Sequence, residues 1–201
     1  MSTTKSFKME RATLEDVPAL TEIWWAAFSS NPTLQRIWPD TPGVRRWWSD
    51  VFYDEISNKS FHHYVKVIDP ESLDANGRPR IAAYVKWDTS TPEERGPRCP
   101  PWHEDMDSEV LDAFIGRVDG ERRRVMGDLR HYHLVTLATH PDYQRRGLGT
   151  MLMRYGCDLV DKNGVAAYVD ASKSGSALYR RFGFVDESLP NSGDFASMAR
   201  R

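Results

Sequence analysis

Residues 144–149, Gln-Arg-Arg-Gly-Leu-Gly, gather more chemistry than any other short stretch of this chain. Two arginines precede two glycines, and a helix-spaced apolar run starts at once with Leu148, Met151, Leu152, Tyr155 and Leu159. The first N–H groups of a helix have no carbonyl partner and sit at the positive end of its dipole. Glycines beside them let the backbone curl its amides inward and approach a ligand closely. The segment suits a phosphate or pyrophosphate held on the amides of Gln144 to Thr150, with Arg145 and Arg146 at the rim. A dinucleotide fingerprint would need its third glycine at Leu152, and a Walker loop needs Gly-Lys-Ser/Thr, so neither applies. By itself a Gly-x-Gly pair is more often a plain helix start.

The elements around this loop are legible from period and punctuation. "HYHLVTLAT" reads as the strand before it, and Asn163-Gly164 ends the helix after it. "VAAYVDAS" is a second strand, "SGSALYRRF" a short helix stopped by Gly183, and "FVDESLP" with "DFASMAR" a hairpin turning at "NSG". Upstream, "SFKMERAT" predicts a strand, Thr13 an N-cap with Asp16 three residues on, and Leu14 to Phe28 an amphipathic helix. "NPTLQRIWPDTPG" interrupts, and "VRRWWSDVFYDEIS" resumes as a second helix. Strands over "FHHYVKVID" and "RIAAYVKWD" form a hairpin about Asn76-Gly77. Residues from Thr89 to about Pro101 read as loop, and Asp105 to Met126 as a helix. No repeat appears. The order predicts one mixed α/β domain over residues 1–201, with an insertion at about 89–130.

Composition sets outer bounds. The chain has 201 residues, 40% hydrophobic and 28% charged, as a globular domain should. A net charge of -2 supplies no field for nucleic acid or an anionic membrane. Cys99 and Cys157 make neither a disulfide framework nor a zinc site. "MSTTKSFKME" lacks the apolar run of a secretory signal, and no window is long enough to span a membrane. A cytoplasmic or nuclear location is the expectation.

With the loop placed between strand and helix, the sequence resembles the GNAT superfamily of acetyl-CoA-dependent N-acetyltransferases. That family's Gln/Arg-x-x-Gly-x-Gly/Ala stands here as Gln144, Gly147 and Gly149. Its second motif, Asn-x-x-Ala-x-x-Leu-Tyr followed by Gly-Phe, is matched by Leu178, Tyr179, Gly183 and Phe184. Ser172 replaces the usual Asn and Gly175 the usual Ala. The resemblance runs from about Tyr132 to Phe184; upstream it rests on element order alone. It implies a mixed sheet with splayed central strands, often at a β-bulge, and helices on both faces. It implies acetyl-CoA as co-substrate and no metal. Leu137, Ala138 and Thr139 would face the pantetheine arm, Gln144, Arg145, Arg146, Gly147, Leu148, Gly149 and Thr150 the pyrophosphate, with Ser172 and Ser174 on the opposite wall.

The implied reaction is direct attack of an amine on a thioester, which needs a base and gains from an acid at the leaving sulfur. Tyr179 is the expected acid. His133, placed by period two on the face of Val135 and Leu137, and Asp170 on the next strand are the candidate bases. His131, His133 and His140 are not completed by a carboxylate into a metal site, and "HEDMD" is not His-Glu-x-x-His. By resemblance the acceptor site falls on the first two helices, where Trp24, Phe28, Trp38 and Trp48 are the expected wall. Trp24-Trp25 and Trp47-Trp48 are adjacent pairs, so one of each is expected to turn to a cleft. The acidic run Glu104, Asp105, Asp107, Glu109, Asp112 reads as a solvated helix face or a lure for polycations. A small-molecule amine is the expected acceptor. A protein or peptide lysine or N-terminal acetyltransferase, and a non-catalytic acyl-CoA-binding module, remain the alternatives.

Overall fold

A computed structural model describes residues 6–190 and 192–201. Residues 1–5 and Asn191, the first residue of the expected "NSG" turn, lie outside the described residues. Seven strands form one sheet in the order β1-β2-β3-β4-β5-β7-β6. They are β1 (Lys8–Arg11), β2 (His62–Leu73), β3 (Pro79–Asp88), β4 (His131–Thr139), β5 (Ala166–Ser172), β6 (Val185–Asp186) and β7 (Phe195–Arg200). Among the described residues only β4 and β5 pair in parallel; the other neighbours are antiparallel. The helix α6 (Leu148–Asn163) makes that parallel crossover.

Between β1 and β2 stand three helices rather than two: α1 (Val17–Phe28), α2 (Pro32–Ile37) and α3 (Pro42–Asn58). The stretch expected to be irregular holds α2 because Asn31 caps it, its side chain accepting from Leu34 N–H at 3.1 Å, with Pro32 at the first position. The Thr13–Asp16 cap is present: Asp16 accepts from the Thr13 N–H at 2.7 Å and its hydroxyl at 3.1 Å. Between β3 and β4 come a single turn, α4 (Pro92–Arg95), and the long α5 (Ser108–Met126). Asp107 caps α5, Asp105 accepts from the Thr41 hydroxyl at 2.5 Å, and Asp112 accepts from the Trp102 indole at 2.8 Å. Part of the acidic run is thus spent on capping and loop anchoring.

The core lies on both faces. Trp87, Leu134, Leu148, Leu152 and Met153 pack with α6 and α7 (Ser176–Arg180) on one. Leu20, Trp24, Phe52, Tyr84 and Leu111 pack with α1, α3 and α5 on the other. Gly156 is the closest approach: a Cβ there would fall inside the indole of Trp87.

Candidate active site

The site starts from a fault in β4. Lys86 pairs with Thr136 but Trp87 with Leu134, so Val135 is an extra residue, a β-bulge. The bulge swaps the faces of everything after it. Tyr132 and Leu134 belong to the core under α6, and so does Leu137, while Ala138 turns to the core under α1. His133 therefore does not share a face with Leu137, as unbroken alternation would require.

The parallel ladder to β5 ends at Leu134–Val169, just where the bulge lies. Above it β4 stays on β3 and β5 stays on β7, so a gap opens between them. His140 N–H donates to Ala82 O at 3.0 Å, which fixes the phase of the β3–β4 ladder. Alternate residues face opposite edges, so Ala138 and Thr136 bond to β3 while Leu137 and Thr139 turn their N–H and C=O to the gap. Ala138 is the correction here: its main chain belongs to β3 and its side chain is buried.

The glycine loop sits at the mouth of that gap. Arg145 has φ 62° and Gly147 φ 85°, left-handed backbone that swings successive amides. Among the described residues no loop or cap hydrogen bond engages the amides of Arg145 to Thr150, and the first amides of α6 have no carbonyl one turn back. Gln144 departs from expectation, since its N–H donates to Pro141 O at 3.2 Å. Leu148 offers only its amide, its side chain being core. Gly149 packs closely: a Cβ would stand 3.1 Å from Leu178 and 3.6 Å from Leu137, so the Leu178 side chain would have to give way. Across the gap Ser172 Oγ accepts from Gly175 N–H at 3.1 Å and lies 3.2 Å from Ser174 Oγ.

A cavity of about 260 Å³ passes from this gap to the opposite face of the sheet. Leu137, Ser172, Leu178 and Tyr179 line its glycine-loop end. Trp24, Phe28, Trp38 and Trp48 line the other, joined by Trp47, Phe52, Phe114, Ile115 and Phe195. Trp25 turns away, stacked under Arg45 at 5.2 Å. Both Trp47 and Trp48 reach the cavity, against the expectation of one from each pair; Trp47 also donates its indole N–H to Pro101 O at 2.8 Å. Phe114, Ile115 and Val118 of α5 close this side.

Polar groups converge where the two ends meet. Tyr179 is 8% exposed, and no hydrogen bond among the described residues engages its hydroxyl; burial pushes it up to about 12, so it stays protonated. Asp170 accepts from Tyr168 at 2.8 Å through Oδ1, while Oδ2 lies 3.4 Å from His133 Nε2. Burial pushes the Asp170 carboxyl up, opposed by the charge of Arg98. His133 is 2% exposed, and burial with the charge of Arg122 pushes it well below its ordinary value. Arg122 Nη1 lies 2.9 Å from His133 Nδ1 and can only donate, so the proton of the neutral ring sits on Nε2, facing Asp170. His133 lacks a free lone pair in this arrangement, whereas Asp170 borders the cavity and its buried Oδ2 has no hydrogen bond among the described residues.

Two wall residues carried no clear sequence signal. Glu55 in α3 is 2% exposed and accepts from Lys86 Nζ at 2.6 Å and from the Tyr64 hydroxyl. Burial would raise it, but Lys86 and His62 outweigh that and hold it below its ordinary value. A buried Glu four residues after Val51 and a Lys inside an apolar strand were the only hints.

Residues 104–186 match the family model of the acetyltransferase (GNAT) domain. No curated protein matches the sequence. Among solved structures, arylalkylamine N-acetyltransferase 2 from Aedes aegypti aligns at a TM-score of 0.65 and 11% identity, over 97% of this chain and 98% of that one. The structure described as histone acetyltransferase HPA2 and related acetyltransferase from Corynebacterium glutamicum gives 0.62 and 21%, over 97% and 96%. PaiA N-acetyltransferase from Thermoplasma acidophilum, in complex with coenzyme A, gives 0.58 and 12%, over 98% and 99%. Residues 104–186 thus match the acetyltransferase (GNAT) domain, and the chain as a whole shares the fold of these N-acetyltransferase structures.

Proposed function

We propose that this protein transfers an acetyl group from acetyl-CoA to a primary amine of a small molecule. The observation that carries the acceptor class is the cavity of about 260 Å³, walled by indole and phenyl rings and closed by α5. A peptide acceptor needs a groove it can cross, and Phe114, Ile115 and Val118 stand in its way. Aromatic walls suit an amine with an apolar or flat body. The Aedes aegypti relative, named for arylalkylamines, favours the same class.

The residues present fit the co-substrate. Main-chain groups of Leu137 and Thr139 would meet the pantetheine arm, and the amides of Arg145 to Thr150 the diphosphate, with the arginine side chains beside it. Ser172 and Ser174 form the far wall. The acceptor amine, held against the indoles, attacks the thioester carbonyl: a C–N bond forms, the C–S bond breaks, and the amine proton passes to Asp170. Tyr179 returns a proton to the departing thiolate. His133, held by Arg122, positions Asp170 through its Nε2–H rather than taking the proton itself.

Thiol release from acetyl-CoA, measured with a panel of arylalkyl, alkyl and polycationic amines against a panel of lysine and N-terminal peptides, tests this. Turnover is expected on small amines; turnover confined to peptides would overturn the acceptor class. Cofactor binding with no turnover on any amine would favour a non-catalytic acyl-CoA-binding module.

A further inference from the structure

A second cavity, of about 210 Å³, adjoins the acceptor cavity and shares Lys86, Arg98 and Val135 as walls. It lies between residues 95–98, the C-terminal half of α5 and the facing parts of β3 and β4. Its lining is strongly cationic, and most of the charges are paired. Lys59 lies 3.0 Å from Asp54, Lys86 2.6 Å from Glu55, Arg95 3.6 Å from Asp88 and Arg98 2.6 Å from Asp119.

Arg122 and Arg123 are the exceptions, and of the two only Arg122 is buried. It is 6% exposed, and its Nε and Nη1 donate to His131 Nε2 and His133 Nδ1, both at 2.9 Å. His131 gives its other ring proton to Leu129 O at 2.7 Å, so each imidazole meets the guanidinium as a neutral acceptor. Nη2 is buried with no partner, and among the described residues no carboxylate lies within ion-pair distance of Arg122. Burial and the charges of Arg95 and Arg98 outweigh the opposing charges of Asp88 and Asp119 and lower its pKa to about 10, which leaves it cationic at neutral pH. A buried guanidinium with no carboxylate in contact is costly, and the cost is relieved by an anion. The four paired cations above balance four carboxylates and Arg123 is exposed to solvent, so among the buried cations one negative charge is wanting. The free edge is one planar N–H₂ group, which a single carboxylate oxygen or both can meet.

We propose that the cavity at Arg122 binds a small carboxylate on the guanidinium edge at Nη2, with Arg95 beside it. The carboxylate belongs either to the acceptor itself, whose amine would then lie across the shared wall, or to a separate small molecule. Only the first source rests on the acetyl-transfer reading.

The test begins with the full chain and formate. Calorimetry is expected to show saturable binding, and crystals soaked in formate to show it within hydrogen-bond distance of Nη2. Arg122→Gln, checked for folding by its melting curve, should weaken formate about tenfold or more. Arg95→Gln leaves both imidazole bonds of Arg122 in place and should weaken it as well, by less. Absence of saturable heat, density seen at crystal concentration only, or wild-type affinity in both variants would overturn the site. The source follows from acetylation of propylamine and 3-aminopropanoate. A KM about tenfold lower for the second, lost in Arg122→Gln, supports the acceptor's own carboxylate. Equal KM values, with formate binding that does not compete with the amine, support a separate ligand. Formate binding with no turnover on any amine would sink the acetyl-transfer reading and leave this site standing.

Discussion

Tyr179 and Asp170 face one cavity from two elements, and their surroundings set them to opposite tasks. The phenol, pushed up to about 12 by burial, keeps its proton throughout the working range. Because nothing among the described residues bonds its oxygen, Tyr179→Phe should leave the melting temperature close to wild type. Steady-state assays should show kcat falling about 10²-fold, the size of general-acid contributions. Asp170 is raised by burial, so the ascending limb of kcat/KM should lie above the ordinary aspartate value of about 3.9. The sign follows from the role: a base works deprotonated, so the rate climbs with pH through that limb. His133→Gln removes the N–H that faces the carboxylate and should move the limb further up. A pH profile of both proteins checks this, and a limb that stays put would remove His133 as a positioning group.

At the scale of elements, the bulge and the glycine contacts decide geometry. Gly156 lies in the middle of α6, where propensity alone would favour alanine by about 1 kcal/mol. The Trp87 indole occupies the space a methyl would need, so Gly156→Ala should instead destabilise by about 1–3 kcal/mol, read from denaturant midpoints. Trp87→Leu in the same chain should recover part of that loss. The glycine loop, both hairpins and the order of strands were legible because glycines, asparagines and period-two runs act locally. The bulge was not. "HLVTLAT" is apolar on both faces, so nothing in its pattern marks Val135 as supernumerary, and His133 was assigned the face of Leu137 for that reason. The α2 turn was missed because the prolines of this stretch and Asn31 read as breakers, although Pro32 and Asn31 are also how a helix begins. The roles of Arg122 and Glu55 come from contacts eleven and thirty-one residues away, which no local window reports.

For the molecule as a whole, the sheet interior carries buried ionisable groups whose balance depends on pH. His62 is lowered to about 4 by burial and by the charge of Lys86, from an ordinary 6.5. Its neutral form is the one the fold favours, so its contribution is complete above about 6.5 and drains away as pH falls toward about 4. His133 acts in the same direction, and Glu55, held below its ordinary value, adds its loss at lower pH still. Thermal melts from pH 8 to pH 4.5 should show a steady decline starting near pH 6.5. His62→Gln should flatten the upper part of it, and a wild-type curve flat to pH 5 would contradict the assignment. No helix among the described residues is long and apolar enough to cross a membrane.

Four of the seven tryptophans border a single cavity, and their rings touch one another: Trp24 lies 4.8 Å from Trp48 and 5.8 Å from Trp38, and Trp47 lies 5.4 Å from Trp48. Indoles this close exchange excitation, so the cluster emits as one unit whose colour and intensity depend on what wets it. An occupant that expels water from the cavity should shift that emission to shorter wavelength, giving a dye-free optical titration. Trp48→Phe should dim it.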